Sequence, residues 1–305
     1  MKSIATVSQS LIETFAGFVK QGKPVVLVTV LSTSGSTYSK AGSQMLIDEN
    51  GDVHGLLSGG CLENDLAERA TAAIRSGRTD WVTYDLRTDD DVFGLGVGCE
   101  GAMYLQLQPL QVDSAYEPLA GWLAQLEDVA TVDVSFESGE GQGSVAFTLG
   151  RPHAVLLLGG GQDADPLVQF CRALGWRVMV TDHRPAYVTR MEQRTACDIR
   201  CCPVGDVGEQ VNFERFDAAI VMSHHLASDR QYLCALAESP LGFVGLLGPP
   251  HRRDRLLDEI GDARKQLAGR LHSPVGKRIG GRGPAAIALE VAAELQQYFS
   301  GSDSD

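Results

Sequence analysis

Two places in this sequence combine residue types and spacing that suggest chemistry. The first is Ser58-Gly59-Gly60-Cys61-Leu62-Glu63, where two glycines turn the chain and a cysteine opens a predicted helix. A helix start favours the thiolate over the thiol. A thiolate there is a nucleophile, a persulfide carrier or a soft-metal ligand. Gly96-Val97-Gly98-Cys99-Glu100-Gly101 sets a second cysteine in a glycine loop, and neither carries the C-x-x-C spacing of a zinc site. The second place is Gly159-Gly160-Gly161-Gln162-Asp163-Ala164, which fits G-x-G-x-x-A between a predicted strand and a predicted helix. Such a turn brings backbone close to a phosphate, and the free N–H groups of the helix start favour an anion. Asp182 ends the next predicted strand, where an acid binds a ribose hydroxyl, and His183 and Arg184 after it suit a phosphate instead. A mononucleotide, a dinucleotide and a pterin phosphate all fit this pattern.

Further candidates lie at predicted strand ends. His224 follows the strand 217–224 and is a candidate ligand contact, whereas His225 reads as structural. Arg252 and Arg253 follow GLLGPP and read either as an anion clamp or as a solvated helix start. Cys197, Cys201 and Cys202 sit by one predicted strand and, with Cys171 and Cys234 on helix faces, read as core packing. His54 and His153 read as structural. There is no Ser-His-Asp order, no paired-carboxylate pattern and no Walker loop.

The elements that must position these residues follow from hydrophobic periodicity. The first twenty residues read as an amphipathic helix, with polar residues breaking any signal-peptide core. Residues 24–31 read as a buried strand, Ser32 to Gly42 as a loop, and MLID with VHGLL as a hairpin across Asn50-Gly51. A helix over 62–75 and strands at 81–86 and 102–110 complete a mixed α/β N-terminal domain, 1–112. Residues 113–151 read as a connecting helix and short hairpin that either close the first domain or bridge to the second. From 152 to 300, apolar strands alternate with helical segments, the pattern of a Rossmann-like parallel sheet covered on both faces. Residues 301–305 read as a frayed tail.

Composition narrows the classes. The 305 residues carry 26 Lys+Arg against 39 Asp+Glu, a net charge of −13, which argues against a general nucleic-acid binder and a basic membrane-surface protein. No apolar run reaches the ~18 residues of a membrane span. Seven scattered cysteines argue against a disulfide framework and for a reducing, cytoplasmic setting.

Taken in order, these motifs resemble a known family. VLVTVLSTSGSTYSKAGSQMLIDENGDVHGLLSGGCLE and GVGCEG resemble the N-terminal domain of the XdhC/CoxI family of xanthine dehydrogenase accessory proteins. LLLGGGQDADPLVQFCRALGWRVMVTDHRPAY, FVGLLGPPHRR and LHSPVGKRIGGRGPAAIALEVAAE resemble its C-terminal Rossmann-like domain. The chain departs from many members at Gln162 and Leu226, where they carry His, and at Lys277-Arg278, where Leu-Asp is common. The resemblance implies a maturation factor rather than an enzyme. Such a protein binds the molybdenum cofactor, supports its sulfuration with a cysteine desulfurase, and delivers it to a molybdenum hydroxylase of the xanthine dehydrogenase type. It implies cofactor contacts at Gly59, Gly60, Cys61 and Cys99, with Cys61 as molybdenum ligand or sulfur carrier. On the Rossmann side it implies Gly159, Gly160, Gly161, Asp182, Arg184 and His224. NAD(P) or another nucleotide is the alternative occupant of that turn, and a homodimer is a candidate assembly. The rival readings are an NAD(P)-dependent oxidoreductase and a non-catalytic nucleotide sensor.

Overall fold

Ser8 decides where the first helix begins. Its hydroxyl accepts the Leu11 N–H at 3.2 Å, capping a helix α1 over Gln9–Gln21. The helix expected over the whole N-terminus is therefore shorter, and Ile4–Thr6 before it forms a strand, β1. The structure is a computed structural model that describes residues 4–60, 62–85, 101–139 and 143–302. It divides into two units, Met1–Arg151 and Pro152–Asp305.

In the first unit the β-branched run after Pro24 becomes the central strand β2, Val25–Gly35. It continues through Ser32–Gly35, which the sequence suggests is loop. The reason is its antiparallel partner, strand β6, whose ladder runs on to Gly35 opposite Gly101 after a bulge between Val30 and Ser32. Strands β3 (Gln44–Asp48), β4 (Val53–His54), β5 (Asp80–Asp85) and β6 (Gly101–Leu110) complete a five-stranded sheet in the order β4-β3-β2-β6-β5. The hairpin over Asn50-Gly51 is present, pairing Ile47 with Val53 and Leu46 with His54.

Both faces of this sheet are covered, so β2 is apolar without alternation. Val26, Val28 and Val30 pack on helix α2 (Glu63–Ser76) through its Leu66, Ala70 and Ala73. Arg69 of α2 bonds Asp65 and Asp80, and the Tyr84 hydroxyl donates to Asp65, fastening α2 to β5. On the other face Val25, Leu27 and Leu31 meet α1, helix α3 (Leu119–Leu126) and a second, small sheet. That sheet joins β7 (Thr131–Glu137) and β8 (Ser144–Gly150) as a hairpin, with β1 parallel to β8. Residues 113–151 thus pack into the first unit rather than standing between two domains.

The second unit alternates β9 (Ala154–Leu158), α4 (Ala164–Ala173), β10 (Arg177–Asp182), α5 (Pro185–Arg194), β11 (Asp198–Cys201), α6 (Val207–Gln210), β12 (Ala218–Val221), α7 (Leu226–Ala237), β13 (Phe243–Leu246), α8 (Pro250–Glu259), α9 (Ala263–Gln266), β14 (Leu271–His272) and α10 (Pro284–Ser302). All six strands are parallel, in the order β11-β10-β9-β12-β13-β14. This is the doubly wound order of a Rossmann fold, with its topological switch between β9 and β12. Helices α4 and α10 cover one face, where Leu167, Val168, Leu295 and Phe299 are buried, and α7 and α8 cover the other through Tyr232, Leu233 and Leu256. Gly301 and Ser302, read as tail, are the last turn of α10, and 303–305 lie outside the described residues. Among the described residues no helix is long and apolar enough to cross a membrane.

Leu66 is fully buried between α2 and the first sheet. Leu66→Ala is expected to cost about 2–5 kcal/mol through lost burial and a cavity. A urea titration following the tryptophans of the first unit will show it as a lowered midpoint.

Candidate functional site

The carboxyl ends of β9, β10 and β12 bring the Rossmann-side candidates together. Gly159 leaves β9 with φ +127°, and a Cβ there would lie 2.6 Å from the backbone of Ser223. Only glycine fits, because the turn and the end of β12 touch across the switch point. Gly161 differs. Its φ is ordinary, and a Cβ would meet only the His224 ring at 3.7 Å. No packing demand explains glycine at 161, so that side of the turn is open.

The turn is gripped from behind. Gly160 N–H donates to Asp182 Oδ2 at 2.8 Å. Asp182 also accepts from Arg184, through Nε and backbone N–H on Oδ1 and Nη2 on Oδ2. Burial at 1% exposure works to raise its pKa, but the hydrogen bonds from Arg184 and Gly160 outweigh it and hold the carboxyl below the usual range. The Arg184 guanidinium also stacks on Tyr187, 3.7 Å from the ring centre. Asp182 and Arg184, candidate ribose and phosphate contacts, are therefore already bonded to one another and to the turn. Arg190, which no motif signals, donates Nη2 to the carbonyls of Gly160 at 2.7 Å and Gly161 at 2.8 Å. With those carbonyls held, the N–H groups of Gly161 and Gln162 remain without a partner among the described residues. They make the start of α4 a candidate anion nest.

His224 faces this nest. It adopts a left-handed backbone at φ +60°, rare for a side-chain-bearing residue. Its Nε2 lies 2.7 Å from Asp163 Oδ2, spanning the crevice, and its side chain is 52% exposed. His225 instead caps α7, accepting the Ser228 N–H through Nδ1 at 3.3 Å. Arg252 is held by Asp229, which also binds the Ser223 hydroxyl, and Arg253 bonds the Ser273 carbonyl and Asp254. Neither arginine clamps the crevice; both anchor the loops that shape it.

In the first unit, Gly59 and Gly60 have open space where a Cβ would stand, and Gly60 takes φ +102°. The Ser58 hydroxyl donates to Glu63 at 2.8 Å, and Leu62 N–H donates to Glu63 Oε2 at 3.0 Å, closing the turn onto α2. Cys61 and Cys99 lie outside the described residues. Asp85 of β5 and Gly101 of β6 stand together at the Gly35 end of β2, whereas His54 of β4 lies opposite Leu46, level with Leu27.

Of the other thiols, Cys171 is core as expected, its pKa pushed up to about 12 by burial. Cys202 is also buried and Cys197 half-buried. Cys201 and Cys234 are exposed, against the core reading: Cys201 ends an edge strand, and Cys234 faces outward while Leu233 and Leu236 on the same helix face the sheet. Among the described residues no three His, Cys, Asp or Glu side chains are grouped to hold a metal ion.

Comparison with known proteins agrees with this architecture. Residues 18–85 match the XdhC and CoxI family and residues 155–295 the XdhC Rossmann domain. The chain is 31% identical to a Bacillus subtilis protein named as a probable xanthine dehydrogenase subunit, over 89% of this chain and 92% of that one. It is 25% identical to the Escherichia coli molybdenum cofactor insertion chaperone PaoD, over 90% and 83%. A Bacillus halodurans crystal structure described as a xanthine dehydrogenase superposes with a TM-score of 0.79 at 27% identity, covering 96% of each chain.

Two expectations follow from this geometry. Gly159→Ala will strain the turn and destabilise the second unit by about 2 kcal/mol or more. Gly161→Val will fold, with a wild-type melting curve, yet lose binding of phosphate-bearing ligands in calorimetry. Asp182 adds a pH signature. Because its folded pKa is depressed, its stabilisation is complete above the unfolded value, about pH 4, and is lost as pH falls through the folded pKa. Asp182→Asn is expected to lose about 2 kcal/mol at neutral pH and to flatten the acid-side fall in stability, read from urea midpoints between pH 2 and 7.

Proposed function

This chain belongs to the XdhC and CoxI family, and we propose on that premise that it carries the molybdenum cofactor and inserts it into a molybdenum hydroxylase of the xanthine dehydrogenase type. The observation that carries the reading is the open nest at the switch point. Its paired-off carbonyls leave the Gly161 and Gln162 N–H groups for an anion, and the cargo presents a terminal phosphate. The PaoD likeness along 90% of the chain supports the molybdenum cofactor as that cargo.

In this reading Gly161, Gln162 and His224 face the phosphate, while Gly159, Gly160, Asp182 and Arg184 hold the turn in shape. In the first unit the open Gly59-Gly60 turn is a separate candidate contact, where Cys61, aided by Cys99, holds molybdenum or passes sulfur supplied by a cysteine desulfurase. A thiolate suits both tasks because sulfur is a soft donor. The protein then acts as a carrier rather than a catalyst. A reducing, cytoplasmic setting suits it, since the five cysteines among the described residues are free. The NAD(P) oxidoreductase reading is weaker: the acid that would bind ribose is already held by Arg184 and Gly160.

The test loads purified wild-type, Cys61→Ser, Cys99→Ser and Cys171→Ser proteins with molybdenum cofactor, then measures retained molybdenum and activation of apo-dehydrogenase. Cys61→Ser is expected to stay folded but lose most retention or most activation, Cys99→Ser less, and Cys171→Ser nothing. Wild-type behaviour of Cys61→Ser in both assays would remove the thiolate from the proposal. Failure of the wild-type protein to retain cofactor or to activate the client would remove the carrier role.

A further inference from the structure

Asp163 stands at the N-cap of α4 but does not cap it, since its side chain accepts no N–H of the helix. An acid at that position ordinarily accepts one. Its carboxylate instead turns across the crevice, where Oδ2 lies 2.7 Å from His224 Nε2. A carboxylate only accepts, so the proton of this bond belongs to Nε2. The same ring edge faces the turn: His224 Cδ2 lies 3.7 Å from the place a Cβ of Gly161 would take. The carboxylate of Asp163, the edge of His224 and the open side of Gly161 therefore border one space.

Three carboxylates stand around the turn, and two of them are closed to a ligand. Asp182 uses both oxygens on Arg184 and Gly160. Asp165 takes Arg190 and Arg194 on Oδ2, and its Oδ1 is sealed from solvent. Asp163 differs from both. His224 engages its Oδ2, its Oδ1 has no partner among the described residues, and its side chain is 17% exposed. The N–H groups of Gly161 and Gln162 supply donors to the crevice, and Asp163 adds an acceptor beside them. A space with both fits an anion that itself carries a proton.

We propose that Asp163 makes this crevice selective for an oxyanion that can donate a hydrogen bond, a phosphate monoester in its hydrogen-bearing form. The inference rests on the reading of the turn as an anion nest. A phosphate monoester loses its second proton near pH 6, so at neutral pH a nearby acceptor readily retains that proton. The P–OH then donates to Asp163 Oδ1 while the other oxygens accept from Gly161 and Gln162. Sulfate and a phosphate diester have no such proton, and their oxygens face the lone pairs of a carboxylate. The crevice thereby disfavours the doubly esterified phosphates of a dinucleotide and admits a terminal phosphate. Asp163 is the residue that sets this specificity, and His224 positions it.

Amide-shift titrations of the full chain at pH 7 decide it, with methyl phosphate, dimethyl phosphate and sulfate as probes. Dimethyl phosphate carries one charge and sulfate two, so the pair separates the effect of the proton from that of charge. The wild-type protein is expected to bind methyl phosphate at least about tenfold more tightly than either, the difference one hydrogen bond to a charged acceptor makes. Asp163→Asn, whose amide donates as well as accepts, and Asp163→Ala are expected to keep the wild-type melting curve and to bind all three within about threefold of one another. Equal affinity of the wild-type protein for the three probes would overturn the proposal and leave the nest standing. A wild-type preference that persists in both variants would also overturn it, because Asp163 would then act by its charge alone. Binding of no probe by any of the proteins would overturn the nest together with the proposal.

Discussion

The carboxylate of Asp182 fastens the glycine-turn edge of the second unit. It sits at the end of β10, almost fully buried, and accepts hydrogen bonds from the glycine turn on one side and from Arg184 on the other. A buried carboxylate so placed is tolerable only because each oxygen has donors and an opposite charge beside it. Its grip fixes Gly160, and Arg190 fixes the carbonyls of Gly160 and Gly161. Once three of the turn's polar groups are held by the protein, the direction of the remaining N–H groups is no longer free. The nest is thus a consequence of what stands behind it.

The same logic extends across the switch point. Gly159 lets the turn lie against Ser223, and Ser223 is held by Asp229, whose charge is balanced by Arg252. His224 is carried on that braced loop in a left-handed conformation. A strained residue persists where its neighbours over-determine it, and here the Ser223–Asp229–Arg252 chain on one side and α7, capped by His225, on the other do so. Arg252 and His225 brace the two ends of the loop that carries His224.

Periodicity made the parallel half of the fold legible, because strands buried on both faces read as plain apolar runs and glycine marks the turn after β9. The first unit was less so. Ile4–Thr6 is a strand only because β8, far along the chain, offers it a ladder, and no local pattern carries that information. Ser32–Gly35 extends β2 for the same reason, against its loop-like composition. At the site, glycines, Asp182 and His224 were visible as residues at strand ends. Their pairings were not, since Arg190 and Asp163 meet their partners through tertiary packing, at separations of 30 and 61 residues. Cys234 shows the limit of face assignment on a helix whose polar and apolar residues are weakly segregated: one position of rotation turns a core thiol into an exposed one.

Electrostatics at the start of α4 explains how a nest can coexist with acids. Asp163 and Asp165 flank the helix start, where two bare carboxylates would repel an arriving phosphate more strongly than two N–H groups attract it. Each is already paired. Asp165 lies between Arg190 at 3.0 Å and Arg194 at 2.9 Å, and Asp163 bonds His224. Arg190 serves both ends of this arrangement, neutralising Asp165 with one amino group while its other holds the carbonyls of the turn. The dipole of α4 and the N–H groups of Gly161 and Gln162, without a partner among the described residues, favour an anion at the start of the helix. The carboxylates that look hostile to phosphate keep Arg190 and His224 in place, and those two side chains set the shape of the site.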